Sequence, residues 1–136
     1  MKITSLTAAV LGGTLIAAAV PAVPAFAHHS HAMFDDSQQI EITGTVLSFR
    51  FANPHVYLFM AVQNANGETQ NWAVEMSHIG NMLNRGVTAD TFKEGDMVQL
   101  VVAPLRSGDP GGSYDRIISI NGVTNAGEGA NWAPAA

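Results

Sequence analysis

The sequence predicts an all-β domain with one short helix, and three observations lead to that prediction. Apolar residues recur in five segments of strand length between residues 38 and 123. Turn-forming residues separate these segments, and a single helical stripe lies between the third and the fourth. The resulting order is that of a small five-stranded OB-fold-like barrel. A two-sheet sandwich is the main alternative, but it usually needs about seven strands or more.

The first predicted strand, residues 38–51, changes its apolar phase halfway along. Ile42 and Val46 fall on one face, whereas the apolar positions that follow, from Leu47 onward, fall on the other. Gly44 lies inside the run. A phase change of this kind is typical of a β-bulge or a glycine kink. We therefore expect one long bent strand that serves two parts of the barrel.

The second and third strands are predicted at residues 56–63 and 68–76, with a hairpin turn at 64–67 between them. The second strand is apolar on both faces, as expected of a central strand. The third alternates cleanly, with Trp72 and Val74 on the face that should point to the core.

A short helix is predicted next, because an apolar stripe with helical spacing follows Ser77. Ser77 is expected to cap its first turn, and the helix should end near Arg85, with Gly86 in the left-handed position that closes it. The remaining predicted elements are strands at 97–103 and 114–123, a flexible loop at 107–112 and a disordered tail at 125–136.

The first 27 residues follow the three-part plan of a secretory signal peptide. Lys2 supplies the positive charge, an apolar run extends from 11 to 20, and Ala25 and Ala27 occupy the small positions of a cleavage site after Ala27. The run is shorter than the ~20 residues of a membrane-spanning helix. We expect a periplasmic or secreted chain with no stable membrane anchor after cleavage. The predicted organisation is a signal peptide at 1–27, a histidine-rich segment at 28–37, a barrel domain at 38–124 and the tail.

Composition excludes several kinds of chemistry. The chain has no cysteine, so disulfides, thiol nucleophiles and thiolate metal sites are impossible. Its formal net charge is −5 and its few basic residues are scattered, which argues against nucleic acid as a partner. No two carboxylates have a spacing typical of acid–base catalysis, so an enzyme is not the favoured prediction.

Five short motifs follow the predicted cleavage site in a fixed order. They are His28-His29-Ser30, Asn53-Pro54-His55-Val56, Trp72-Ala73-Val74-Glu75, Leu83-Asn84-Arg85-Gly86 and Phe92-Lys93-Glu94-Gly95-Asp96. Together they resemble an uncharacterised family of short secreted bacterial proteins, domain of unknown function 6152. The resemblance implies no particular activity. It directs attention to His28, His29, Asn53, His55, Glu75 and Arg85.

The histidine-rich segment is a candidate metal site. Cleavage after Ala27 gives His28 both a free α-amine and an imidazole, and that amine has a pKa of about 8, well below that of lysine. Copper(II) suits such nitrogen ligands best among the common divalent ions. His29 and His31 are close enough in sequence to add imidazoles, and the Met33 thioether suits copper(I). The alternative is that the histidines belong to a solvated linker.

His55 is the candidate ligand outside that segment, because it follows Asn53-Pro54 at the start of a predicted strand. It becomes a third nitrogen ligand if the amino terminus folds back over the barrel rim. In the alternative, Asn53 and His55 hydrogen-bond to backbone groups at the barrel corner. Glu75 is expected either to orient a ligating histidine or to pair with Arg85 or Arg116, the ion pair being favoured.

Five aromatic side chains fall on predicted strands, and most of them should pack in the core. One or two are expected to be exposed near the face of the second strand. The five are Phe49, Phe51, Tyr57, Phe59 and Trp72.

Two functional hypotheses follow. The leading one is a carrier or accessory factor that binds copper through His28, His29 and His55, with His31 and Met33 as further candidate ligands. The alternative is a binding module that uses an OB-type groove for a periplasmic protein, peptide or small ligand. A metal-dependent enzyme would also need a substrate cleft, for which the sequence offers no second group of residues. The sequence leaves the oligomeric state open.

Overall fold

Residues 31–136 are described by the structure, which is a computed structural model. The predicted signal peptide, His28 and His29 lie outside this part of the chain. The elements are a 3-10 turn at His31–Met33, strands β1 (Ile40–Arg50), β2 (Tyr57–Gln63) and β3 (Thr69–Glu75), helix α1 (Ile79–Asn84), and strands β4 (Met97–Pro104), β5 (Gly111–Ile120) and β6 (Val123–Thr124).

The first five strands form a closed barrel. Their hydrogen-bonded order is β3-β2-β1-β4-β5, with antiparallel neighbours throughout. A parallel pairing of β3 with β5, in which Ala73 lies opposite Gly111, joins the two ends of the sheet. β6 is a two-residue extension beside β5. The closed five-stranded barrel with its helix between β3 and β4 confirms the predicted fold and excludes the two-sheet sandwich.

The predicted bend in β1 is a β-bulge. Pairing with β2 shifts register between Val46, which lies opposite Met60, and Ser48, which lies opposite Phe59. The extra residue is Leu47, whose side chain is 40% exposed. The apolar phase changes at this residue because the bulge turns the following part of the strand over.

The core fills the barrel with side chains from the inward faces of all five strands. Met82 of α1 is fully buried and closes one end of the barrel together with Val87 and Phe92. The largest fully buried side chains are Leu58, Met60, Met82, Leu100 and Ile117. No helix among residues 31–136 is long and apolar enough to cross a bilayer.

The helix begins later than predicted, and its cap is His78 rather than Ser77. The Nδ1 atom of His78 accepts a hydrogen bond from the backbone N–H of Asn81 at 3.3 Å. Ser77 stays extended because its carbonyl oxygen accepts the N–H of Val56 at 3.1 Å, which continues the strand pairing beyond β3. A pairing with a distant strand therefore decides where this helix starts.

The predicted flexible loop at 107–112 is shorter in the structure, because its last two glycines begin β5. Gly111 and Gly112 lie opposite Ala73 and Val74 in the parallel pairing that closes the barrel. A Cβ atom at Gly112 would lie 2.7 Å from the carbonyl oxygen of Ala103. Glycine here permits the close approach of the strands.

The structure also differs from the predicted disordered tail at 125–136, because this segment is attached to the barrel. The backbone N–H of Trp132 donates to the carbonyl of Arg85 at 2.8 Å, and its side chain packs against the core. The side-chain NH₂ of Asn125 donates to the carbonyls of Ile117 and Asn131 at 3.1 and 2.8 Å. One aromatic anchor and one asparagine network thus order a segment whose average composition is that of a flexible tail.

Candidate functional site

The start of the described chain and the ends of β2, β3 and β5 meet at one polar cleft. Its volume is about 260 Å³. Four of the residues singled out in the sequence line it, namely His31, His55, Glu75 and Arg85. The other lining residues are Met76, Ser77, Ser113 and Tyr114.

Backbone and side-chain contacts hold residues 32–34 against the chain between β4 and β5. Phe34 is buried and forms an isolated β-bridge with Leu105. Arg106 donates from its backbone N–H to the carbonyl of Met33 at 2.9 Å, and from Nε to the carbonyl of Ala32 at 3.1 Å. These bonds fix the position at which the amino-terminal segment reaches the cleft. Sequence reasoning missed Arg106, because only the folded chain brings it next to Ala32.

His55 and Glu75 form a hydrogen-bonded pair in the cleft. The Nδ1 atom of His55 lies within hydrogen-bond distance of Oε1 of Glu75. The imidazole is 44% exposed and the carboxylate only 14%. When His55 is neutral, the carboxylate holds the proton on Nδ1, so the lone pair of Nε2 is available to a ligand. This is the arrangement in which a carboxylate orients a metal-binding histidine.

The favoured role of Glu75, an ion pair with an arginine, is therefore wrong. Arg116 pairs with its neighbour Asp115 at 2.7 Å, and Arg85 has other acceptors. The Nη2 atom of Arg85 donates to the carbonyls of Asp115 and Ala130, the latter at 3.3 Å. Its guanidinium also lies 4.7 Å from the ring centre of Tyr114. Arg85 thus joins β5 to the tail beneath the cleft.

Asn53 has a structural role. Its Oδ1 atom accepts the backbone N–H of Ile79 at 3.0 Å, which ties the β1–β2 loop to the first turn of α1. His78, the cap of that helix, is absent from the cleft lining. The alternative prediction, a hydrogen bond to backbone at the barrel corner, is confirmed for Asn53 but not for His55.

Met33 lies in an adjoining apolar pocket of about 170 Å³. Tyr57 and Glu75 line this pocket as well, so Glu75 forms part of the wall between it and the cleft. Burial raises the pKa of Tyr57, and the neighbouring Glu75 raises it further. His31 and Met33, at the two ends of one 3-10 turn, therefore contact different pockets.

The described residues alone do not complete a metal site. Between residues 31 and 136, no three histidine, cysteine, aspartate or glutamate side chains lie close enough together to hold a metal ion. What this part of the chain offers is the oriented imidazole of His55, with His31 on the same cleft. His28 and His29, the other predicted ligands, lie outside the described residues.

Tyr114, at the base of the cleft, carries a hydroxyl that has no hydrogen-bond partner among the described residues. The side chain is buried, and burial raises the pKa of Tyr114 from 10.0 to about 12. The unfolded chain therefore loses this proton first as the pH rises, and the folded state loses stability between these two pKa values.

Replacing Tyr114 by phenylalanine should remove the loss of stability that Tyr114 causes at high pH. Since the change deletes an unpartnered buried hydroxyl, we expect the free energy of unfolding at neutral pH to stay the same or rise by about 1 kcal/mol. Urea denaturation at pH values of about 7 and 11 measures both effects, and Tyr57 is common to the two proteins. An equal loss of stability at high pH in both proteins would contradict this account of Tyr114.

The model of the Family of unknown function (DUF6152) matches residues 15–114, which is more than half of the chain. The protein belongs to that family, and the matched region contains Asn53, His55, Glu75 and Arg85. No curated protein and no solved structure matches the chain significantly.

Proposed function

We propose that this protein binds copper through an amino-terminal histidine site and acts as a carrier or accessory factor rather than as an enzyme. The observation that carries the proposal is the oriented imidazole of His55, whose Nδ1 atom is held by Glu75 in the cleft that His31 also lines. A carboxylate on Nδ1 leaves Nε2 to bind a metal ion.

The proposed site also requires the amino terminus, which is joined to the cleft through His31. Cleavage after Ala27 leaves His28 as the first residue, three positions before His31. Three residues of extended chain span at most about 10 Å, so the proposed site requires the His28 amine to bind the metal ion within this reach of His31. The ligand set we propose is the amine and imidazole of His28, the imidazole of His29 and Nε2 of His55.

The chemistry of this set favours copper. Amine and imidazole nitrogens bind copper(II) more strongly than the other common divalent ions of the first transition row. His31 and Met33 are the additional ligands we propose, and the Met33 thioether suits copper(I). Met33 is 39% exposed, so its sulfur can be reached from solvent.

The exposure of His55 and the compartment predicted by the leader support the proposed carrier role. The His55 side chain is 44% exposed, so a metal ion bound there can be passed to another protein. We propose that the leader directs the chain to the periplasm or out of the cell and is removed, leaving no membrane anchor. The partner we propose is a metal-exchanging protein of that compartment.

A matched pair of histidine substitutions tests the involvement of the barrel. His55→Asn should weaken copper(II) binding to the chain beginning at His28 by about tenfold or more, which corresponds to ~1.4 kcal/mol. His78→Asn should leave the affinity unchanged, since His78 lies outside the cleft lining and asparagine is a good helix cap. Calorimetric titration in the presence of a weak competing chelator measures both affinities.

Circular dichroism on each variant checks that the barrel remains folded. Equal affinities for His55→Asn and the parent chain would place the metal on the amino-terminal segment alone and remove His55 from the site.

A further inference from the structure

A second candidate site lies on the outer face of the barrel, away from the histidines. It is a groove of about 500 Å³ across β1 and β2. No charged side chain lines it. The small side chain of Ala61 leaves room for it between the bordering side chains, and the backbone of Gly44 also lines it. Those bordering side chains are Thr43, Thr45, Gln63, Thr69 and Met97.

Strand register places an aromatic pair next to this groove. Tyr57, Phe59 and Ala61 alternate with buried residues along β2 and therefore share its outer face. The rings of Tyr57 and Phe59 are stacked, with centroids 6.1 Å apart and planes inclined by 17°. The guanidinium of Arg50 lies 5.6 Å from the centre of the Tyr57 ring. The aromatic pair and the groove thus form one continuous strip along β2.

The two strands that flank β2 add hydrogen-bonding groups to the strip. Asn71 of β3 lies opposite Ala61, and Ser48 of β1 lies opposite Phe59. Both are exposed. The outer face therefore combines hydroxyl and amide groups with flat apolar rings and carries no charge in the groove itself.

We propose that this strip binds a neutral glycan chain. Hydroxyl and amide groups can exchange hydrogen bonds with sugar hydroxyls, and an aromatic ring can stack on the apolar face of a pyranose. The outer face of strands two and three is also where barrels of this plan bind extended oligomeric ligands. A single-stranded nucleic acid would stack on the same rings, but it needs a basic groove, and this chain has a net charge of −5.

The proposal is independent of copper. The groove contains none of the cleft residues, and Tyr57, which lies opposite Glu75, separates the two. Metal-free protein beginning at His28 is therefore the right sample, and failure of either proposal leaves the other standing.

Titrations with three neutral hexasaccharides and a thymidine decamer test the ligand class. The hexasaccharides are cellohexaose, xylohexaose and chitohexaose, and calorimetry and changes in amide NMR signals measure the binding of each. At least one hexasaccharide should bind one-to-one with a dissociation constant of about 1 mM or lower, and the largest shifts should fall on β1, β2 and β3. The decamer should not bind.

Two substitutions locate the binding. Ala61→Arg places a long side chain in the groove from an outward position, so it should weaken glycan binding by about tenfold or more. Val123→Arg introduces the same side chain on β6, where Val123 is 42% exposed and outside the groove. This control should leave glycan affinity unchanged. Phe59→Leu keeps apolar volume but removes the ring, and should weaken binding by about fivefold or more because stacking is lost.

Three results would each overturn the proposal. They are the absence of binding for all three hexasaccharides at concentrations of about 10 mM, equal glycan affinity of the parent and Ala61→Arg proteins, and binding of the decamer in place of the glycans.

Discussion

Replacing Gly44 with valine should lower the free energy of unfolding by more than about 3 kcal/mol. Gly44 lies in the middle of β1, opposite Val62 of β2 on one side and Val98 of β4 on the other. A Cβ atom there would overlap the carbonyl oxygen of Ala61 and lie 2.9 Å from Cγ2 of Val62. Since a backbone atom blocks the new side chain, the pairing of β1 with β2 must open.

Thr43→Val is the matched control, because Thr43 is the exposed neighbour of Gly44 on the same strand. Valine and threonine are both favoured in strands, so this change should alter stability by no more than about 0.5 kcal/mol. Urea denaturation followed by circular dichroism measures both variants. Near-equal stability of Gly44→Val and Thr43→Val would contradict the close approach of β1 and β2 at this point.

The barrel could be predicted from the sequence because its main signals are local. Apolar and polar residues alternate along β3, and β2 is apolar on both faces, as in a central strand, so each pattern indicates a strand whatever its partner. The change of phase at Leu47 also belongs to β1 itself, and the bulge lies where the apolar pattern changes. The closure of the barrel was inferred from the order of elements rather than from any pattern in β5.

The parts that could not be predicted depend on contacts between distant residues. Ser77 has the sequence character of a helix cap, but its pairing with Val56 keeps it extended. Gly111 resembles a loop residue until β3 pairs with it. Trp132 orders the tail because Arg85 accepts its N–H, a contact between residues 47 positions apart in the sequence (132 minus 85).

In the candidate site, too, some features follow from local sequence and others depend on contacts between distant residues. His55 was recognisable because it follows Asn53-Pro54 at a strand start, and Glu75 because it lies on the polar face of β3. Their mutual hydrogen bond could not be distinguished from an arginine pair, because the choice of partner depends on how the strand ends meet. No sequence pattern indicates a role for Arg106, because it donates to backbone carbonyls of a distant segment.

Acetylating the α-amine of His28 should weaken copper(II) binding by about a hundredfold or more, which corresponds to ~2.7 kcal/mol. Acetylation removes the charge and the basicity of the amine and inserts no residue, so the sequence positions of the histidines are unchanged. At neutral pH the α-amine, with a pKa near 8, reacts ahead of lysine. Lys93 is the one lysine after residue 27, so a Lys93→Arg background removes any side reaction at lysine.

The most direct test of the proposed copper site is therefore a calorimetric copper(II) titration of the Lys93→Arg chain beginning at His28, with its amino terminus free and then acetylated. The proposal predicts one-to-one binding with a submicromolar dissociation constant for the free amine and a loss of about two orders of magnitude on acetylation. Equal binding by the two forms would contradict it and show that the amino terminus of His28 is not a ligand.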